Sequence, residues 1–140
     1  MTIEEAQQNL VEQFDGLDDW MDRYAVIIDM GNTHSPIDEK LKTPDRLIEG
    51  CQSRVWLDAT KDSEGHIKFT ADSDALIVKG IIAMLVDVLS GHTPEEILTA
   101  DLHFIHDIGL DEHLSPTRSN GLLAMLRRIR HTPRRWHKHA

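Results

Sequence analysis

The sequence predicts an α+β fold, with a short antiparallel hairpin between two groups of helices. Apolar residues recur at helical spacing in both end regions of the 140-residue chain. Between these regions, two segments alternate apolar and polar residues, as half-buried strands do. The chain is long enough to bury one hydrophobic core, so we expect a single domain over residues 1–140.

Two helices are predicted before the hairpin. Thr2 and Glu5 have the spacing of a capping box, so residues 3–14 should form the first helix. Apolar side chains then recur every three or four residues through residues 17–31, which predicts a second helix with one apolar face. Residues 32–47 contain two prolines and should form a long ordered loop.

The hairpin is predicted from the alternation of apolar and polar residues in segments 53–60 and 66–71. The polar segment 61–65 between them contains a glycine and is typical of a hairpin loop. Residues 48–49 are candidates for a third strand at the edge of the sheet.

The longest apolar helix should follow the hairpin directly. Asp72, Ser73 and Asp74 are expected to cap and charge the start of a helix over residues 75–89. This helix is apolar on nearly every side, so we expect it to be the central helix of the core.

Shorter helices should complete the domain. The segment Thr93-Pro94-Glu95-Glu96 starts short helical pieces that extend to about residue 110. Ser115 and Pro116 open a final helix that runs to about residue 131. We therefore expect an ordered core over about residues 3–131 and a mobile basic tail over residues 132–140.

Charge is distributed unevenly along the chain. It carries 15 basic and 24 acidic residues, a net charge of −9. Residues 115–140 hold seven of the basic residues and no acidic one, which leaves a net charge of −16 on the first 114 residues. The overall acidic balance argues against general nucleic-acid binding. Two explanations fit the basic end. Its cations could stabilise the negative end of the dipole of the last helix, or they could form a docking patch for an acidic partner.

Cys51 is the single cysteine of the chain, which excludes an intrachain disulfide and an iron–sulfur cluster held by this chain alone. It follows Gly50 in a loop that leads into a strand, where reactive groups are commonly displayed. A thiol at this place could attack a carbonyl, bind a metal or accept sulfur from a persulfide. A small buried hydrophobic residue is the alternative interpretation.

Other functional classes find little support. The nine histidines form no His-Glu-x-x-His motif, and no glycine-rich phosphate loop is present, so we expect no bound metal or nucleotide. The acidic N-terminal segment differs from a secretory signal, and no apolar run reaches the roughly 18 residues of a membrane span. We therefore expect a cytoplasmic protein that binds neither membranes nor nucleic acids.

Several segments, in series, are similar to the SufE family of cysteine-desulfuration proteins. They are DW and RY within residues 19–24, EGCQSRVW at 49–56, DSDA at 72–75 with IVKG at 77–80, and HLSPTRSNGL at 113–122. The resemblance extends from about residue 10 to about residue 130.

This resemblance implies a fold shared with the scaffold protein IscU, in which helices cover one side of an antiparallel sheet of about three strands. It implies a sulfur carrier rather than an enzyme. The carrier would accept persulfide sulfur from a SufS-type cysteine desulfurase, stimulate that enzyme and deliver the sulfur to the SufBCD complex. It would bind no cofactor itself, because the pyridoxal phosphate (PLP) resides on the desulfurase. A homodimer is compatible with the sequence.

The resemblance also assigns site residues, with Cys51 as the persulfide-forming residue and no metal ligand. Positions near the cysteine loop or on the desulfurase-docking surface are Gly50, Gln52, Asp72, Ser73, Asp74 and Arg118. We expect the loop of the free protein to pack Cys51 against apolar side chains, since a persulfide has to be protected from reductants. Burial should then raise the pKa of the thiol.

Alternatives to this function remain open. A CsdE-type protein would accept sulfur from a different desulfurase, and a non-covalent activator would have a structural Cys51. An IscU-like scaffold would need several cysteine ligands, and a cysteine hydrolase would need a histidine near Cys51.

Overall fold

A computed structural model describes residues 1–34 and 37–132, which contain seven α-helices and a two-stranded sheet. The elements are α1 (Ile3–Glu12), α2 (Trp20–Thr33), β1 (Val55–Lys61), β2 (Ile67–Ser73), α3 (Leu76–Leu89), α4 (Pro94–Thr99), α5 (Phe104–Asp107), α6 (Leu110–His113) and α7 (Pro116–His131). Two single-turn 3₁₀ helices, Glu39–Leu41 and Pro44–Arg46, lie between α2 and β1. The architecture is the predicted α+β arrangement.

The hairpin buries one of its two faces. β1 and β2 pair antiparallel along their whole length. Their buried apolar side chains alternate along both strands and project from the same face, and β2 packs against α3. These buried residues are Val55, Leu57, Ile67, Phe69 and Ala71.

The expectation of a third strand at residues 48–49 is wrong for the described chain. The sheet has two strands, and the chain before Cys51 contributes only one isolated bridge to it, between Leu47 and Trp56. An antiparallel partner of β1 would continue backward from Leu47 through residues 44–46, but these residues form a single-turn 3₁₀ helix. The pairing therefore ends at the bridge.

The prediction that Asp72, Ser73 and Asp74 cap the central helix is also wrong. β2 runs through Ser73, and the N-cap of α3 is Ala75, which makes no side-chain capping bond. Ser73 and Asp74 instead bind the backbone of Arg54 across the hairpin. The Asp74 carboxylate accepts the N–H of Arg54 at 3.0 Å, and the Ser73 hydroxyl donates to the Arg54 carbonyl at 2.8 Å.

The other predicted helix starts are confirmed. Thr2 and Glu5 form a reciprocal capping box at α1, and the predicted box at Thr93 forms at α4. Ser115 caps α7, where its hydroxyl accepts the N–H of Arg118. No helix of the described ranges is long and apolar enough to cross a membrane. The predicted basic tail lies outside these ranges, except for Thr132.

α3 is the central helix of the core, as expected. Ten of its 14 residues are buried, and it contacts α1, α2, α7 and β2. Burial of an apolar side chain contributes about 1.5–3 kcal/mol, so this helix supplies much of the hydrophobic stabilisation of the domain.

α2 and α3 cross so closely that their contact leaves no room for a side chain. A Cβ atom on Gly80 would lie 2.1 Å from the carbonyl oxygen of Ile27. A Cβ atom on Gly31 would lie 2.8 Å from the backbone nitrogen of Gly80. Both obstacles are backbone atoms, which can move only if the helices separate.

α1 is attached to the rest of the domain by a buried glutamine and an ionic cluster. The Gln7 side chain donates to the carbonyl of Asp101 at 2.9 Å and accepts the N–H of Phe104 at 3.0 Å. Next to it, His103 lies between the carboxylates of Asp107 and Glu4.

Replacement of Gly80 by alanine should lower the free energy of unfolding by about 3 kcal/mol or more, because the methyl group overlaps the Ile27 carbonyl. Chemical denaturation would measure this change. Gly121→Ala is the matched control, since a Cβ there meets its nearest neighbour at 3.7 Å. Alanine favours helix, so the control should be neutral or more stable by up to about 1 kcal/mol. Equal destabilisation of both variants would contradict the close crossing.

Stability should also depend on the protonation of His103. Hydrogen bonds with Asp107 and Glu4 raise the pKa of this histidine. Its contribution to the free energy of unfolding is therefore complete below the unfolded pKa of about 6.5, and is lost as the pH rises through the higher folded pKa. Urea denaturation between about pH 6 and pH 9 should show a smaller decrease for His103→Gln than for the wild type. Identical pH profiles would disprove this contribution.

Candidate functional site

Cys51 lies in the loop before β1, and this loop rests on α7. Gly50 adopts a φ of 92°, which residues with a side chain rarely adopt. A Cβ atom on Gly50 would also meet the Cβ of Ala124 at 3.2 Å. The glycine therefore both turns the chain and lets the loop lie close to the helix.

The thiol of Cys51 is held against the backbone of α7. It donates to the carbonyl oxygen of Gly121, with a distance of 3.5 Å between sulfur and oxygen. A Cβ atom on Gly121 would lie 3.7 Å from the sulfur, so even a methyl group would touch it. The absence of a side chain at Gly121 leaves space next to the sulfur atom.

Cys51 opens into a cavity of about 420 Å³ between the loop, α3 and α7. The cavity has an apolar wall and a polar rim. The apolar wall is formed by Val78, Ile81 and Met125, and the rim on α7 by Ser115, Thr117 and Arg118. A cavity of this size has room for an additional sulfur atom beside the thiol.

Burial determines the protonation state of the thiol. Cys51 is partly buried and packs against the hydrophobic core, as expected from the sequence. Removal from water raises the pKa of its thiol above the ordinary value. The side chain is therefore a protonated thiol at neutral pH, which is a weak nucleophile.

The structure brings only some of the predicted site residues together. Gln52 and Arg118 line the same cavity as Cys51, and Gly50 is its chain neighbour. Asp72 and Ser73 are buried in β2, away from the lining of this cavity, whereas Asp74 is exposed beside Arg54. The proposed docking role of these three residues stays a prediction, and burial leaves the first two little surface for a partner.

Asp72 instead anchors the segment that precedes the cysteine loop. Its carboxylate forms ion pairs with Lys42 at 3.0 Å and with Lys79 at 3.6 Å. Burial acts to raise the pKa of Asp72, but the hydrogen bonds from Lys42 and Ser73 outweigh it and hold that pKa below its usual value. Lys42 also lies 5.1 Å from the ring centre of Trp56. Sequence reasoning missed Lys42, because no local pattern marks the lysine that pairs with a distant aspartate.

The start of α7 is held in place by α2. The ring of Trp20 stacks on His113 with centroids 3.8 Å apart, and the Tyr24 hydroxyl donates to the His113 carbonyl at 2.9 Å. Arg23 donates to the carbonyl of Ile108. The DW and RY motif thus positions the chain that enters α7.

A second cavity of about 420 Å³ lies on the other side of Gly50. Ile48 and Glu49 line it together with several α7 side chains, among them Leu123 and Arg127. Sequence reasoning did not identify this groove, because the arrangement of the loop on α7 determines it.

Across residues 1–34 and 37–132, no three histidine, cysteine, aspartate or glutamate side chains come close enough to hold a metal ion. His103 is occupied by its carboxylate partners, and His113 by the stack with Trp20.

Comparison with known families agrees with this geometry. The family model described as "SufE: Fe-S metabolism associated domain" matches residues 8–132. The chain belongs to the SufE family. Family membership assigns it a role in iron–sulfur metabolism.

The fold of this SufE-family chain is similar to the solution structure of a hypothetical protein from Thermus thermophilus. The TM-score is 0.75, and the match covers 95% of this chain and 96% of that one. Sequence identity is 23%, so this similarity supports the fold alone.

The thiol of this SufE-family chain should react slowly with iodoacetamide at neutral pH. Because burial disfavours the thiolate, the midpoint of the rate against pH should lie above the ordinary thiol pKa of about 8.5. The same chain unfolded in guanidinium chloride is the matched control and should show the ordinary midpoint. A folded-state midpoint at or below that of the unfolded chain would contradict the assigned protonation state.

Proposed function

We propose that this protein is a sulfur carrier for iron–sulfur cluster assembly. Cys51 accepts sulfur from the persulfide of a SufS-type cysteine desulfurase, and the carrier stimulates that enzyme and delivers the sulfur to the SufBCD complex. One observation carries the proposal. The single thiol of the chain lies on a glycine-turned loop, beside a cavity that can hold a second sulfur atom.

The transfer is an exchange reaction at sulfur. The Cys51 thiolate attacks the outer sulfur of the donor persulfide, and a new sulfur–sulfur bond forms on Cys51. The sulfur–sulfur bond of the donor breaks, and the donor cysteine leaves as a thiolate that takes up a proton. The proton of the Cys51 thiol is released before the attack, so the step needs no external oxidant or reductant.

The single cysteine supports storage of the transferred sulfur. A second thiol in the chain could attack the persulfide, form a disulfide and release the sulfur. This chain has no second cysteine, so the persulfide persists until an external acceptor removes the sulfur. The apolar wall of the cavity limits access of solvent reductants during this time.

The raised pKa of Cys51 supports activation by the partner. In the free protein the thiol is protonated and bound to the Gly121 carbonyl. Movement of the loop away from that carbonyl, or the approach of a cation, would favour the thiolate. Arg118 on the rim is the one cationic side chain among the described residues that line this cavity.

The carrier performs only half of a sulfurtransferase reaction and is not an enzyme by itself. In this proposal it binds no cofactor, because PLP belongs to the desulfurase that generates the persulfide. Two variants of the proposal differ in the partner or in the role of the thiol. A CsdE-type carrier would serve another desulfurase, and a non-covalent activator would retain Cys51 for packing alone.

Mass spectrometry would test the carrier function. After incubation with a SufS-type desulfurase, PLP and cysteine, the Cys51 peptide should gain the mass of one sulfur atom. Dithiothreitol should remove this mass, because persulfides are reduced by thiols. Cys51→Ser is the matched control and should remain unmodified. Absence of the adduct with every desulfurase tested would contradict the proposal.

The same variant separates the carrier from the non-covalent activator. Cys51→Ser should abolish stimulation of sulfide production by the desulfurase, since the variant offers no sulfur acceptor. Retained stimulation would instead assign the protein as an activator with a structural Cys51. Comparison of a SufS-type donor with the desulfurase that serves CsdE-type proteins would identify the branch by the faster adduct formation.

A further inference from the structure

We infer that the outer face of α7 beside the Cys51 loop docks an acidic surface of the sulfur donor, with Leu123 and Arg127 as its principal contacts. We call this face the Arg127 surface, and it consists of Asn120, Leu123, Arg127 and His131. The inference deepens the proposed function, because it describes how the donor of that reaction is recognised.

Two of the four arginines in α7 have structural roles. Arg128 donates to the carbonyls of Asp45 at 2.7 Å and of Leu47 at 3.3 Å, and so ties α7 to the segment before the cysteine loop. Arg130 donates to three carbonyls at the end of α4, the shortest bond being 2.7 Å to Ala100. Satisfaction of helix-end carbonyls explains these two cations without a partner protein.

The other two arginines, Arg118 and Arg127, are exposed. Within the described part of the chain, neither side chain makes a hydrogen bond or an ion pair. Nine residues, or about two and a half turns, separate them, so they lie on opposite flanks of α7. The ridge between these flanks carries Gly121 and Ala124, on which the cysteine loop rests. The two uncompensated cations therefore bracket the loop that bears the thiol.

The Arg127 surface has the composition of a protein-binding patch. Leu123 is 55% exposed, second among the described leucines to Leu76 at 59%, and lies one helical turn before Arg127. Together they line the groove of about 420 Å³ beside Gly50. Arginine is enriched among binding hot spots, and an interface typically combines an apolar centre with a polar rim. Glu49 is the single acidic residue among the groove's described lining residues.

Charge complementarity identifies the chemistry of the partner. The chain has a net charge of −9, but residues 115–132, which include α7, carry four basic and no acidic residues. An acidic surface is repelled by the net charge of the protein and attracted by α7. Such a field orients the encounter so that the cysteine loop faces the donor. A nucleic acid fits less well, because the negative net charge opposes its approach.

Charge reversal at Arg127 tests the inference. Surface plasmon resonance with an immobilised SufS-type desulfurase would measure the affinity of wild type, Arg127→Glu and Arg127→Ala. At about 50 mM salt, Arg127→Glu should bind the desulfurase roughly tenfold more weakly than the wild type, mainly because association is slower. Arg127→Ala, which only removes the charge, should weaken binding less. At about 0.5 M salt, where charges are screened, the three affinities should converge.

Lys61→Glu is the matched control, because it changes the net charge by the same amount. Lys61 is exposed and ends β1, about 20 Å along the strand from Val55 near the cysteine loop. Its reversal should change affinity by less than about twofold. Thermal unfolding of each variant would check that the fold is intact, and Arg127→Ala provides the test if the glutamate variant does not fold.

The outcomes distinguish this inference from the carrier function. If Cys51 accepts sulfur but Arg127→Glu and Lys61→Glu bind equally well, docking at the Arg127 surface is wrong and the carrier function stands. If Cys51 accepts no sulfur but binding still depends on Arg127, the docking surface stands and the carrier function is wrong. Two results overturn the docking surface directly. In the first, the wild type does not bind the desulfurase. In the second, the wild type binds a single-stranded oligonucleotide more tightly than the desulfurase, and that binding depends on Arg127.

Discussion

The close crossing of α2 and α3 is the constraint on which the rest of the structure depends. With glycine at both contact positions, Gly31 and Gly80, the two helix backbones touch. This contact brings α3 into the centre of the domain, where it packs with β2 and α7 as well. α7 in turn supports the cysteine loop, and α3 supplies Val78 and Ile81 to the cavity beside the thiol. The geometry of the reactive site is therefore determined by a helix contact that itself has no chemical role.

Protection and reactivity make opposite demands on the thiol, and the loop reconciles them. Burial keeps Cys51 protonated and limits contact with solvent, which protects it from oxidation and from unspecific nucleophilic reactions. The same burial makes the thiol a poor nucleophile in the free protein. The thiol lies in a loop turned by Gly50, outside the two strands of the sheet. In the proposed function, partner binding would move this loop and so change the environment of the thiol, while the strands and helices keep their places.

Local patterns predicted the helices well, because capping residues and apolar spacing act within one or two turns. The boxes at Thr2 and Thr93 and the cap at Ser115 are of this kind. The errors occurred where distant residues compete for polar groups. Asp72 and Asp74 have the composition of a helix cap, but Lys42 and Arg54 bind them, and no sequence pattern reveals these partners. Similarly, only the family resemblance placed Arg118 near Cys51, and the groove at Arg127 depends on how the loop lies on α7.

In the proposed function, the hydrogen bond from Cys51 to the Gly121 carbonyl makes the position of the loop depend on the cargo. In the free protein the thiol donates this bond and the carbonyl accepts it. A persulfide is more acidic than a thiol, and as an anion it has no proton to donate, so a carbonyl oxygen at the same place would repel it. In the proposed function, loading would therefore remove the hydrogen bond that holds the empty loop against α7. The carrier would approach the donor with the loop held and the acceptor with the loop released, so the two partners would meet different surfaces.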